Sequence, residues 1–125
     1  MALKPLRWIG STKDDLVNLP EGIRDDFGYA LFQAQQGKKS DKAKPLRGFK
    51  GASVLEVVEF DEEGTYRAVY TVMFEGMIFV LHVFKKKSKQ GIATPKQDID
   101  LIKLRLKLAK QMYDEYCGGN HGKRK

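Results

Sequence analysis

The stretch VLEVVEFDEEGTYRAVYTVMFEGMIFVLHVF, residues 54–84, decides the fold. It divides into three runs, 54–60, 65–74 and 77–84, rich in Val, Tyr, Phe and Ile and separated by DEEG and EG. Branched and aromatic side chains suit a pleated, half-buried surface. The short acidic and glycine interruptions suit tight reversals, so the stretch reads as an antiparallel meander with hairpin turns.

Working outward, the C-terminal side carries a well-marked helix. Thr94 is placed to be its N-cap, Pro95 its first residue and Gln97 the capping-box partner. Its body is expected to run to about Tyr116 and stop at Gly118 and Gly119. On the N-terminal side, residues 6–9 (LRWI) read as an edge strand bounded by Pro5 and Gly10. Ser11 and Thr12 can cap a short helix through Leu16 and Val17. Pro20 suits the start of a second helix, whose Ile23, Phe27, Ala30, Leu31 and Ala34 recur at helical spacing up to Gly37. Residues 37–53, rich in Gly, Lys, Ser and Pro, read as a loop.

The resulting order is strand, two helices, three strands, helix. The expected class is α+β: a small antiparallel sheet of three to four strands with two N-terminal helices and one long C-terminal helix. The chain of 125 residues fits one domain, taken as residues 1–117, with a disordered basic tail over 118–125.

Composition excludes several classes. The single cysteine, Cys117, cannot form an intramolecular disulfide framework or a cysteine-based metal site, which suits a reducing, cytoplasmic setting. No run approaches the roughly 18 apolar residues of a membrane span. Lys4, Pro5 and Arg7 interrupt any signal-peptide core. There is no GxGxxG after a strand, no P-loop, no GxSxG and no HExxH. His82 and His121 have no cysteine or carboxylate at ligand spacing, so neither metal nor cofactor is expected.

The formal net charge of +7 is concentrated. Residues 85–110 hold nine basic side chains against Asp98 and Asp100, while the rest of the chain balances at 14 basic and 14 acidic. Such a local field favours a polyanion, an acidic protein or an anionic surface, and charge alone does not choose among them. Alternation along the last strand would group His82, Phe84 and Lys86 with Ile78 and Val80, and Lys85 and Lys87 with Leu81 and Val83. Arg67 stands inside an apolar strand. An unpaired buried charge is costly, so it faces solvent, pairs with Glu56 or Glu59 across the sheet, or serves a ligand.

The C-terminal helix carries two apolar stripes at about 100° per residue. One is Ile99, Ile102, Leu106, Ala109 and Tyr113. The other is Leu101, Leu104, Leu108 and Met112. A helix lying only on its sheet needs one stripe. The second is expected either against the helix that follows Pro20 or, partly exposed, under a partner.

Taken together, LRG (46–48), TYRAVY (65–70) and VLHVFKKKSKQGIATPKQDID (80–100) resemble the RelE/HigB toxins, especially their phage-derived HigB-like branch. The likeness covers about residues 6–112. It implies the toxin of a type II toxin–antitoxin pair, acting in the cytoplasm as a ribosome-dependent, metal-independent mRNA endonuclease. In that chemistry the ribose 2′-OH attacks the adjacent phosphate, leaving a 2′,3′-cyclic phosphate and a 5′-OH. The implied partners are the ribosome, its mRNA and an antitoxin, expected to be a small helix-turn-helix protein. By the resemblance, Arg67 contacts the scissile phosphate and Lys86 is an acid or charge stabiliser. Glu56 and Val58 fall near the places where RelE proper has two lysines; Glu56 serves as base or orients Arg67. Lys85, Lys87, Lys89, Arg47 and Lys50 are the expected RNA contacts, and His82 and Tyr113 match the family's C-terminal histidine or tyrosine only loosely. Two other readings share the sequence: a ParE-like gyrase inhibitor of the same fold, and a non-catalytic basic binding module.

Overall fold

The computed structural model describes residues 2–87 and 93–121. Among these described residues five strands and three helices follow in the order β1 (Leu6–Trp8), α1 (Thr12–Val17), α2 (Glu21–Gln35), β2 (Ala43–Pro45), β3 (Val54–Asp61), β4 (Gly64–Thr71), β5 (Ile78–Lys86) and α3 (Lys96–His121). The class is α+β, as expected, but the sheet has five strands where three to four were expected. The additional strand is β2, three residues inside the stretch read as loop. Its Ala43 pairs with Val57 and its Pro45 with Leu55. A proline is tolerated there because β2 is an edge strand, where one side needs no amide donor.

The strand order is β1-β5-β4-β3-β2. The meander β3-β4-β5 is antiparallel throughout, and β1 adds to β5 in parallel. A parallel neighbour requires a long crossover, here supplied by everything from α1 to β4. At the β3–β4 turn Asp61 pairs with Gly64, and Gly64 has φ +155°. A Cβ at Gly64 would stand 2.3 Å from the Lys86 carbonyl oxygen, so the glycine lets the turn close against the end of β5.

The sheet separates two cores. On one face Phe27, Ala30, Leu31 and Ala34 of α2 pack with Leu16 of α1 onto Leu55, Val57, Tyr66, Ala68, Tyr70, Ile78, Val80 and Val83. On the other, Ile102 and Ala109 of α3 pack with Val54, Val69, Phe79 and Leu81. Since α2 and α3 cover opposite faces, α2 cannot cover the second stripe of α3. Most of that stripe is open to solvent: Leu104 is 55% exposed, Leu108 and Met112 are exposed as well, and Leu101 is half-buried. Of the two arrangements expected for this stripe, packing against the second helix is the one the fold rules out.

A second correction concerns β5. Val69 pairs with His82 but Tyr70 pairs with Val80, so Leu81 is an extra residue forming a β-bulge. The bulge breaks the period of two. His82 and Phe84 therefore lie with Phe79 and Leu81 on the α3 face, while Ile78 and Val80 lie on the α1–α2 face. The helix α3 also continues through His121, past the glycine pair where a stop was expected. Residues 122–125 of the expected tail lie outside the described residues.

Candidate RNA-binding cleft

Arg67 lies at the middle of the α3-facing side of the sheet. It pairs with Val58 on β3 and with Phe84 on β5. Its diagonal neighbours, two residues either way along those strands, are Glu56 and Phe60 on one side and His82 and Lys86 on the other. Diagonal partners in a sheet stand about 7–8 Å apart, within reach of long side chains. The guanidinium Nη1 of Arg67 donates to Glu56 Oε1 at 2.9 Å and to Thr94 Oγ1 at 3.2 Å. Thr94 Oγ1 in turn donates to Glu56 Oε1 at 3.2 Å. Glu59 points to the other face and pairs with Lys42 at 2.9 Å. Of the readings open for Arg67, pairing with Glu56 is the one observed, and it resolves the cost of a cation that is only 7% exposed.

This group forms the floor of an open cleft of about 790 Å³. Among the described residues four cations line it, namely Arg67, Arg47, Lys44 and Lys96, against one carboxylate, Glu56. Much of the remaining wall is apolar: Pro45, Val58, Phe60 and Ile99. A cationic floor beside apolar walls suits a ligand that is both anionic and flat-faced, as a nucleotide is.

Next to the cleft lies a second polar cluster, where α3 crosses β5. His82 Nε2 is 2.8 Å from Asp98 Oδ1, and Lys86 Nζ is 3.3 Å from Asp98 Oδ2. The Arg105 guanidinium donates to the Leu81 carbonyl at 3.0 Å and approaches His82 Nδ1 at 3.5 Å. Phe84 stacks on His82 with centroids 4.2 Å apart. Gly10 makes room for Arg105: a Cβ there would lie 2.9 Å from the guanidinium. With Asp98 accepting at Nε2 and a cation near Nδ1, the neutral imidazole carrying its proton on Nε2 fits both neighbours.

Burial lowers the His82 pKa from its ordinary 6.5, outweighing the raising effect of Asp98. Below that ordinary value the unfolded chain takes up a proton that the folded chain resists. The stability contribution is therefore complete above about pH 6.5 and is lost as pH falls through the lower folded value. Urea midpoints should decline from pH 7 to pH 5 in the wild type, and His82→Gln should flatten that decline. An unchanged slope in the variant would remove His82 as its source.

The expected site residues divide into groups. Arg67, Glu56 and Arg47 come together in the cleft. Lys86 is on the same sheet face, held beside the cleft by Asp98. Lys85 turns to the α1–α2 face, bonded to Glu63 at 3.0 Å with its ammonium 5.4 Å from the Tyr66 ring centroid. Lys50 and Lys87 are exposed and do not line the cleft. Lys89 lies outside the described residues. Tyr113 is far from Arg67 in the fold, bonding the Glu75 carbonyl and packing on Phe74. Sequence reasoning missed Lys44 and Lys96 as cleft cations, Phe60 as a wall and Asp98 as the anchor of Lys86. Lys44 lies two residues before the LRG segment (46–48) and Lys96 directly follows Ala93, Thr94 and Pro95, and that proximity was the available signal. Thr94 was read as a helix cap, whereas its hydroxyl joins Arg67 and Glu56. Among the described residues no three His, Cys, Asp or Glu side chains are grouped as a metal would require, and no helix is long and apolar enough to cross a membrane.

An α+β domain with a cationic cleft on its helix-covered sheet face is the class that fold and site define. Residues 14–107 match the family described as phage derived protein Gp49-like (DUF891). The chain belongs to that Gp49-like family, a toxin family of the RelE/HigB type. No curated protein matches it. Among solved structures it is similar to a chain of the toxin–antitoxin complex RelBE2 from Mycobacterium tuberculosis, with 24% identity over 70% of this chain and 97% of that chain and a TM-score of 0.45.

Proposed function

We propose that this protein is the toxin of a toxin–antitoxin pair and that it cleaves mRNA on the ribosome. The observation that carries this reading is the Arg67–Glu56–Thr94 group on the floor of a cleft also lined by Arg47, Lys44 and Lys96. A side chain fixed in this way is oriented before a phosphate arrives, so little reorganisation is needed when charge develops on it. In the proposed reaction Glu56 takes the proton of the ribose 2′-OH. The oxyanion attacks the adjacent phosphorus, and Arg67 balances the charge growing on the phosphate oxygens. The bond to the 5′-oxygen breaks, and Lys86 supplies the proton that this oxygen needs. The products are a 2′,3′-cyclic phosphate and a 5′-OH. The exposed stripe of α3 is the surface we assign to the antitoxin.

Induced expression followed by mapping of new RNA 5′ ends tests the reading. New 5′-OH ends within translated messages are expected. DNA breaks with intact RNA would replace the reading by gyrase inhibition. The role of Lys86 is testable in the same system. Lys86→Ala should slow single-turnover cleavage of ribosome-bound message by at least about tenfold, while ribosome binding changes little. A loss confined to binding would make Lys86 a docking residue.

A further inference from the structure

Phe60 is a large apolar side chain that the core does not use. It is 49% exposed, at the solvent end of β3, on the sheet face that carries Glu56 and Val58. Lone exposed apolar residues are common and need no explanation, but the position of this one is specific. It lies diagonally from Arg67 across β3 and β4, opposite the diagonal that holds Glu56. It lines the same cleft as Arg67, Lys44 and Lys96, with Val58 and Pro45 continuing the apolar wall. An aromatic ring open to solvent on a sheet face, one diagonal step from a fixed arginine, pairs a stacking surface with a phosphate contact.

We infer that Phe60 is a stacking platform for an unpaired base, and that the cleft takes a single-stranded nucleotide with its phosphate on Arg67 and its base on the Phe60 ring. This rests on the reading of the cleft as an RNA site. It adds the requirement that the base be unpaired, because a duplex keeps both faces of each base stacked and leaves none for the ring. Phe60 touches no reacting atom in this arrangement; it positions the nucleotide. The contact discriminates little among the four bases, since each has a π-face.

The test is binding to the whole protein of a labelled six-nucleotide RNA, 2′-O-methylated so that it cannot be cleaved, and of the same backbone carrying an abasic site at each position in turn. The wild type should bind the base-bearing strand about tenfold more tightly than the weakest-binding abasic strand. Phe60→Ala should lose about tenfold for the base-bearing strand and almost nothing for that abasic strand. Phe60→Trp should retain affinity, and its indole fluorescence should be quenched on binding. Arg67→Ala should weaken both strands alike, which separates phosphate contact from stacking. The inference is overturned if the wild type binds neither strand, if it binds all strands equally, or if Phe60→Ala weakens base-bearing and abasic strands by the same factor. None of these depends on cleavage, so failure here is distinct from absence of new 5′-OH ends in cells.

Discussion

Arg67→Ala is expected to lower RNA cleavage by at least about a hundredfold and to abolish toxicity. One preorganised donor to a developing oxyanion is worth about 3–4 kcal/mol, or two to three orders of magnitude in rate. The substitution also has a structural consequence that the ion pair makes visible. Without Arg67, Glu56 keeps Thr94 but loses its cation at a position only 17% exposed, which should cost about 1–3 kcal/mol of stability. The double variant Arg67→Ala, Glu56→Gln removes the uncompensated charge and should recover part of that stability while remaining inactive. Thermal melts and single-turnover cleavage on both variants separate the two effects. A folded Arg67→Ala protein that still cleaves message would sink the assignment of Arg67, and recovery of activity in the double variant would sink Glu56 as the base and reduce Arg67 to neutralising its charge.

The second large effect contrasts two neighbours on α3. Ile102→Asp should unfold the domain, because Ile102 is fully buried in the core between α3 and the sheet. An unpaired carboxylate there costs several kcal/mol, comparable with the whole stability of a domain this size. Leu104→Asp, only two residues on, should change stability by no more than about 0.5 kcal/mol, as expected for a surface position. If the stripe of Leu104, Leu108 and Met112 is the antitoxin surface, Leu104→Asp should also give a toxin that its antitoxin no longer neutralises. Melts of the purified variants and co-expression with the antitoxin check both statements. A stable Leu104→Asp toxin that is still neutralised would move the antitoxin to another surface.

Local chemistry made most elements readable. The meander of β3, β4 and β5 follows from branched and aromatic runs between acidic and glycine turns, and α3 from the Thr-Pro start and its helical spacing. The stripe of Ile99, Ile102, Leu106, Ala109 and Tyr113 is the face that packs on the sheet. β2 escaped because three residues in a Lys- and Pro-rich stretch carry too little apolar pattern. They become a strand by borrowing the open edge of β3. The two apolar stripes of α3 were equally legible, but periodicity cannot tell a stripe covered by another helix from one left for solvent.

What the sequence determined by itself is therefore whatever depends on neighbours within a turn or a hairpin: the order of elements, the buried side of α2, and the concentration of charge in residues 85–110. What only the tertiary structure decided depends on register and on contacts between distant segments. The extra residue at Leu81 turns His82, Phe84 and Lys86 toward α3, because each one-residue shift in a strand exchanges its faces. The same fold sends Lys85 away from Lys86, its neighbour in the chain. It also brings Thr94 onto Glu56, 38 residues earlier, and Asp98 onto His82, 16 residues earlier. The choice of Glu56 over Glu59 as the partner of Arg67 has the same origin: the two glutamates, three residues apart, lie on opposite faces of β3, and which face meets Arg67 is set by pairing between strands, which is not written in either strand alone.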